Sequence, residues 1–225
     1  MEVASIIALS MGAAWASGIN LYATLFMLGY MASTGNITLP AELEVLTNPM
    51  VMTAAGFMYC VEFFADKIPG VDSAWDSIHT FIRIPAGAML ASSAIGDVTP
   101  AIELTTALLG GALAAGTHTT KAGTRLLINT SPEPVSNWTA SITEDLIVIG
   151  GLWTALNHPV LFIIGLIIFI LFMIWVLPRL WRIIKFLFRR IGSWLGFCEP
   201  PAPLTKNTGK SIISSGQDAD FSPQL

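Results

Sequence analysis

PVLFIIGLIIFILFMIWVL, from Pro159 to Leu177, is a continuous apolar run without a single charge. A hydrocarbon core of roughly 30 Å is climbed at about 1.5 Å per residue, so about 20 such residues cross it. Composition says that this run is not an isolated oddity. The chain is 53% hydrophobic and 12% charged, where soluble proteins carry roughly 25% charged residues. The charges are also segregated. No Lys or Arg precedes Lys67, and five of the eleven fall between Arg179 and Arg190. The pattern is that of an all-α polytopic membrane protein and not of a soluble domain. A nucleic acid is not an expected partner; a lipid bilayer with anionic headgroups is.

The start, MEVASIIALSMGAAWASG, has Glu2, lacks a basic region and runs on in apolar character to Met31, unlike a cleaved leader. Cys60 and Cys198 make neither a disulfide framework nor a metal-ligand spacing. Five further apolar segments accompany the first. Val3 to Ala32 is too long for one upright span and is interrupted by SGIN, Ser17 to Asn20. Met50 to Phe64 is short and ends just before Asp66. IPAGAMLASSAIG leads to Asp97, and TPAIELTTALLGGALAAGTHTTKAGTRLLINT is again over-long, with GTHTTK as its expected interruption. WTASITEDLIVIGGLWTAL carries Glu144 and Asp145 near its start.

Laying AWASGIN on ALAAGTH places Gly18 over Gly116 and Asn20 over His118. The expectation is about six spans as two inverted three-span repeats, residues 1–97 and 98–178, the first segment of each interrupted or re-entrant. A layout with four full crossings and two re-entrant hairpins is the alternative. The basic stretch directly after Leu177 belongs in the cytoplasm by the positive-inside rule, which puts both termini there and the Lys/Arg-free loop from Ser33 to Pro49 outside. Residues 179–197 are expected as a basic amphipathic interfacial helix, and residues 198–225, rich in Pro, Ser and Gly, as a disordered tail. With so much of a small chain in loops and tail, a homodimer is expected.

ADKIPGVDSAWDSIHTFIRIPAGA, Ala65 to Ala88, is the densest polar stretch between apolar ones. Pro69-Gly70 breaks the preceding segment, and Asp72 can cap a helix that starts there. Asp76, His79 and Arg83 lie 4, 7 and 11 residues beyond Asp72, inside a stripe of roughly 60°. Glu62 and Asp66 share a face one helix earlier, and Lys67 follows. Such a seam can bind a cation, relay a proton or neutralise itself through internal ion pairs. The breaks offer a second set, Asn20, Thr117, His118 and Lys121, suited to a polar or anionic ligand near the midplane. Glu144 and Asp145 are a third. Asp72, Asp76 and His79 are chemically able to ligate Zn²⁺ or Mn²⁺, but nothing else marks a metal site and no cofactor is expected. No phosphate-binding loop, nucleophile elbow or zinc-protease motif is present.

FFADKIPGVDSAWDSIHTFIRIPAGA, together with GINLYATLFMLG near the start, resembles domain-of-unknown-function family 4126, a group of bacterial integral membrane proteins. The likeness runs from about Val3 to Leu177, and the family places Pro close after Arg where Ile84 here separates Arg83 from Pro85. The resemblance implies a bacterial inner-membrane location and supplies no reaction. The expected function is a transporter-like protein moving a small polar, ionic or lipid-headgroup substrate by alternating access, with ion or proton coupling. The alternatives are a membrane enzyme acting on a lipid phosphate and a scaffold or assembly factor.

Overall fold

In the computed structural model, residues 2–68, 70–130 and 134–194 are described; the expected Pro69 break and the tail 198–225 lie outside them, in part or whole. Seven α-helices follow one another: α1 Val3–Ile19, α2 Leu21–Ser33, α3 Pro49–Ala65, α4 Val71–Ala94, α5 Pro100–Ile128, α6 Pro134–Asn157 and α7 Pro159–Trp194. A 3₁₀ segment, Ala41–Thr47, precedes α3. The described residues up to Lys185 form one compact unit, and those from Phe186 onward fall outside it. All that follows concerns that unit.

Helix α1 is its axis. From Ala8 to Ile19 only Met11 escapes full burial, and α4, α5 and α6 pack around the helix. Its small residues are what permit this, since backbones approach closely only where side chains are short. Gly18 faces the Thr117 side chain and the Ala114 carbonyl. Gly87 of α4 abuts Ala114 and Ser17, and Gly110 of α5 abuts Ala91 and the Gly87 carbonyl. Trp15 spreads edge-on against Phe162 and Phe169 of α7, both at 5.9 Å. Helix α1 packs on α4 from the stretch 1–97 and on α5 and α6 from the stretch 98–178.

The interruption in SGIN is real and lies at Asn20, whose backbone is extended (φ −144°, ψ 100°) between two helices. Its side-chain oxygen accepts from the Ala23 N–H at 2.9 Å and so caps α2. The interruption expected in GTHTTK is absent: α5 is continuous from Pro100 to Ile128. The reason is local. Thr117, Thr119, Thr120 and Thr124 donate their hydroxyls to carbonyls of the preceding turn, which satisfies a polar run inside a helix. Gly116 meets Met173 instead of breaking the chain. The superposition of the two over-long segments therefore fails at the feature that suggested it. Second, residues 179–194 continue α7 through Pro178 instead of forming an element of their own, and residues 195–197 lie outside the described residues. Third, Asp72 is not the cap of α4; Gly70 precedes the helix with φ +87°.

Many large apolar side chains lie outside, and a set of charges lies inside. Phe57, Phe64, Phe81, Met89, Leu104, Ile168 and Trp175 are all exposed, whereas the buried face of α4 is Asp72, Asp76, His79 and Arg83, followed by Gly87, Leu90, Ala91 and Ala94. Among the described residues, one helix, α7 over Pro159–Phe186, is by itself long and apolar enough to cross a membrane. Helices α1, α2 and α3 are apolar but shorter, and α4 to α6 carry charges.

Candidate functional site

Helices α3, α4, α5 and α6 converge on a buried cluster of charge. Glu62 and Asp66 come from the last turns of α3, Asp76 and Arg83 from α4, Lys121 and Arg125 from α5, and Glu144 from α6. Every ion pair found among the described residues joins these four carboxylates to these three cations. Glu62, Asp76, Arg83 and Arg125 are at most 1% exposed. Charges sealed to that degree survive only when each is paired and hydrogen-bonded.

Arg83 reaches Asp76 at 3.1 Å through Nη1 and Glu62 through Nη2. Lys121 spends its three protons on the Ile19 carbonyl at 3.1 Å, Asp66 at 2.9 Å and Glu62 at 3.3 Å. The first of these is the carbonyl left free where α1 stops, so the ammonium also sits at the negative end of that helix. Arg125 grips Glu144 with two parallel bonds, 3.0 and 2.7 Å, the strong fork geometry. Its remaining nitrogen donates to the carbonyls of Asp66 and Asn137.

Two histidines flank the cluster, and their partners fix their tautomers. Thr80 donates to the Asp76 carbonyl, so His118 Nε2 must donate to Thr80 at 2.7 Å. His118 Nδ1 then accepts from Arg83 at 3.1 Å, which requires a neutral ring. His79 donates from Nδ1 to the Trp75 carbonyl and accepts at Nε2 from the Tyr22 hydroxyl. It stacks on Trp75 with ring centroids 4.2 Å apart.

Asp72 lies beyond the ion pairs. It accepts from Asn129 with both oxygens, at 2.8 and 2.9 Å, and from the N–H groups of Gly70 and Ser73. Asp145 accepts from Asn20 at 3.1 Å, tying α6 to the break after α1. Lys67 donates to the Phe63 carbonyl and Ser141, lies over the Phe63 ring, and is pushed below the usual lysine range by burial. Thr117 is buried, but its hydroxyl bonds only to its own helix.

Several atoms have no partner. Among the described residues they are Glu62 Oε2, Asp66 Oδ1, Asp76 Oδ2, Asp145 Oδ2, Arg83 Nε, Asn137 Oδ1 and the indole nitrogens of Trp15 and Trp75. Beside the cluster a cavity of about 300 Å³ opens between α5 and α6, walled by Thr120, Thr124, Thr143, Ile147 and Phe169, with Lys121 and Glu144 lining it as well. No group of three or more His, Cys, Asp or Glu among the described residues is arranged to hold a metal ion, so Asp72, Asp76 and His79 do not form the triad their spacing allowed.

The sequence reading named Asp72, Asp76, His79 and Arg83 as one seam, and all four are buried. It missed Arg125, Asn129 and Asn137. The signal was present: Lys121, Arg125 and Asn129 stand 3, 7 and 11 residues after His118, on a stripe of roughly 80°. Expecting a break in that segment hid the helical count.

The family described as Domain of unknown function (DUF4126) matches residues 7–179. No curated protein and no solved structure matches the chain. The chain belongs to the DUF4126 family.

Proposed function

We propose that this member of the DUF4126 family is a multi-pass membrane protein of the bacterial inner membrane that moves a small polar or ionic substrate, coupled to an ion, past its buried charge cluster. One observation carries the reading: seven ionisable side chains pair with one another inside a shell whose outward surface is apolar. Ionisable groups at membrane depth cost roughly 2.5–3.5 kcal/mol each on insertion scales and characteristically mark ion pathways. Water offers a soluble protein no reason to turn Phe57, Phe81 and Ile168 outward while hiding Arg83 and Arg125. The basic run after Leu177 supports a cytoplasmic C-terminus.

The broken helix supports the same reading. Transporters present helix ends at breaks to bound ions, and here the end of α1 is met by Lys121 while Asn20 reaches Asp145. The cavity between α5 and α6 supplies a route from outside to Lys121 and Glu144.

The test is reconstitution of the full chain into vesicles carrying a proton- or sodium-sensitive dye, followed by an imposed potential. The expected result is ion flux above that of empty vesicles, suppressed by Glu144→Gln. Folded protein that leaves vesicles as tight as empty ones would sink transport and favour a scaffold. A new lipid species formed without any gradient would point to enzyme chemistry instead.

A further inference from the structure

The cluster does not balance. Four carboxylates, Glu62, Asp66, Asp76 and Glu144, share three cations, Arg83, Lys121 and Arg125. One negative charge is in excess. The imbalance coincides with three carboxylate oxygens, Glu62 Oε2, Asp66 Oδ1 and Asp76 Oδ2, which are buried and without a hydrogen-bond partner. A charge sealed from water in this way takes up a counter-charge or neutralises itself. We infer that Glu62, Asp66 and Asp76 share one exchangeable proton, held on one of the three unpartnered oxygens. The proton is delivered by hydronium from bulk water, whose O–H bond breaks as the carboxyl O–H bond forms, and its charge cancels the excess of the cluster.

The surroundings leave the three acids as the place for it. From the α1–α2 break, Asn20 and the Ile19 carbonyl face the cluster, and neither takes a proton near neutrality. On α4, His79 is bonded to Tyr22 and the Trp75 carbonyl and to no carboxylate, and Asp72 is satisfied by Asn129 and two N–H groups. On α5, His118 Nδ1 is occupied by Arg83. From α6, Glu144 has both oxygens in the Arg125 fork, and Asn137 offers its carbonyl to the same guanidinium. Asp145, also with an unpartnered oxygen and faced by Tyr59 of α3, is the one rival, and Lys67 nearby is bonded to Phe63 and Ser141. A metal ion is the poorer counter-charge, because the acids are not gathered into a ligand set.

The inference names the coupling ion of the reading above and rests on that reading for its purpose, but its measurement needs no transport. Infrared spectroscopy of the full chain in an ester-free detergent would read the C=O stretch of a protonated carboxyl group. At neutral pH the wild type is expected to show the band, with the downshift in D₂O that marks an exchangeable proton. Glu62→Gln, Asp66→Asn and Asp76→Asn each remove the excess charge, so the band is expected to vanish in each of them. The exposed-loop change Asp97→Asn is expected to keep it. Absence of the band in the wild type overturns the inference without any variant having to fold; a sodium-dependent rise in melting temperature would then identify a cation in the proton's place. Persistence in all three variants overturns it as well, and loss in Asp145→Asn would then place the proton on Asp145. Absent ion flux together with a band that vanishes as expected would sink transport and leave the proton.

Discussion

Replacing Arg83 by Met tests the cluster at its most enclosed point. The guanidinium is 0% exposed and pairs with Glu62 and Asp76, while also donating to His118. Methionine fills much of the same volume but leaves four carboxylates facing two cations. Breaking a buried pair by removing one partner costs about 3–5 kcal/mol, chiefly because the other charge stays buried and unpaired. Against a typical folding stability of about 5–15 kcal/mol this is a large fraction. The assay is unfolding by SDS titration in mixed micelles, followed by tryptophan fluorescence. Three proteins separate the causes. Arg83→Met alone is expected to lose the full amount. Arg83→Met with Glu62→Gln is expected to recover at least about 1 kcal/mol of it, as directly paired groups do in double-mutant cycles. Arg179→Met, whose guanidinium lies exposed over Trp175 at 3.6 Å, is expected to stay within about 0.5 kcal/mol of wild type. The reasoning is refuted if Arg83→Met is as stable as Arg179→Met, or if adding Glu62→Gln makes it worse.

Other expectations follow from the same contacts. Asn20→Ala removes the cap of α2, worth about 1 kcal/mol, and strips Asp145 of its donor, so a loss of about 2–3 kcal/mol is expected in the same titration. Gly110→Ala would drive a methyl into Ala91 and the Gly87 carbonyl and is expected to cost about 1–3 kcal/mol. Gly150→Ala meets nothing within 4 Å and should gain about 0.5–1 kcal/mol from helix propensity. Burial holds the Lys67 ammonium below its ordinary value. Its charge therefore opposes folding below the folded-state value, and stability should rise with pH between that value and the unfolded one. Lys67→Met should abolish this alkaline gain in melting temperature.

How far the sequence could be read depended on whether a feature was local. The seam on α4 was legible because four polar residues at helical spacing must share a face wherever that face points. That it points inward, against α5, is tertiary and left no trace in those residues alone. The Asn20 break was legible through its Gly and Asn. The same reasoning failed at Gly116, because threonine hydroxyls bonded to their own helix turn an apparent interruption into a polar face. Glu144 looked like the charged end of a span; its bidentate partner Arg125 lies nineteen residues away, and only the meeting of α5 and α6 joins them.

The pairing of the cluster across four helices also bears on how such a chain is made. Glu62 and Asp66 leave the ribosome well before their partner Lys121, which lies fifty-five residues beyond Asp66 in the chain. In the membrane setting proposed above, Glu62 of α3 waits for Arg83 of α4 and Asp66 for the cations of α5, while Arg125 waits in turn for Glu144 of α6. Taken one at a time, α4 to α6 are poor candidates for lipid; as an assembled set they hide every one of these charges. Synthesis then cannot proceed helix by helix into the bilayer. The segments from α3 to α6 have to be held together beside the insertion machinery and released as a group.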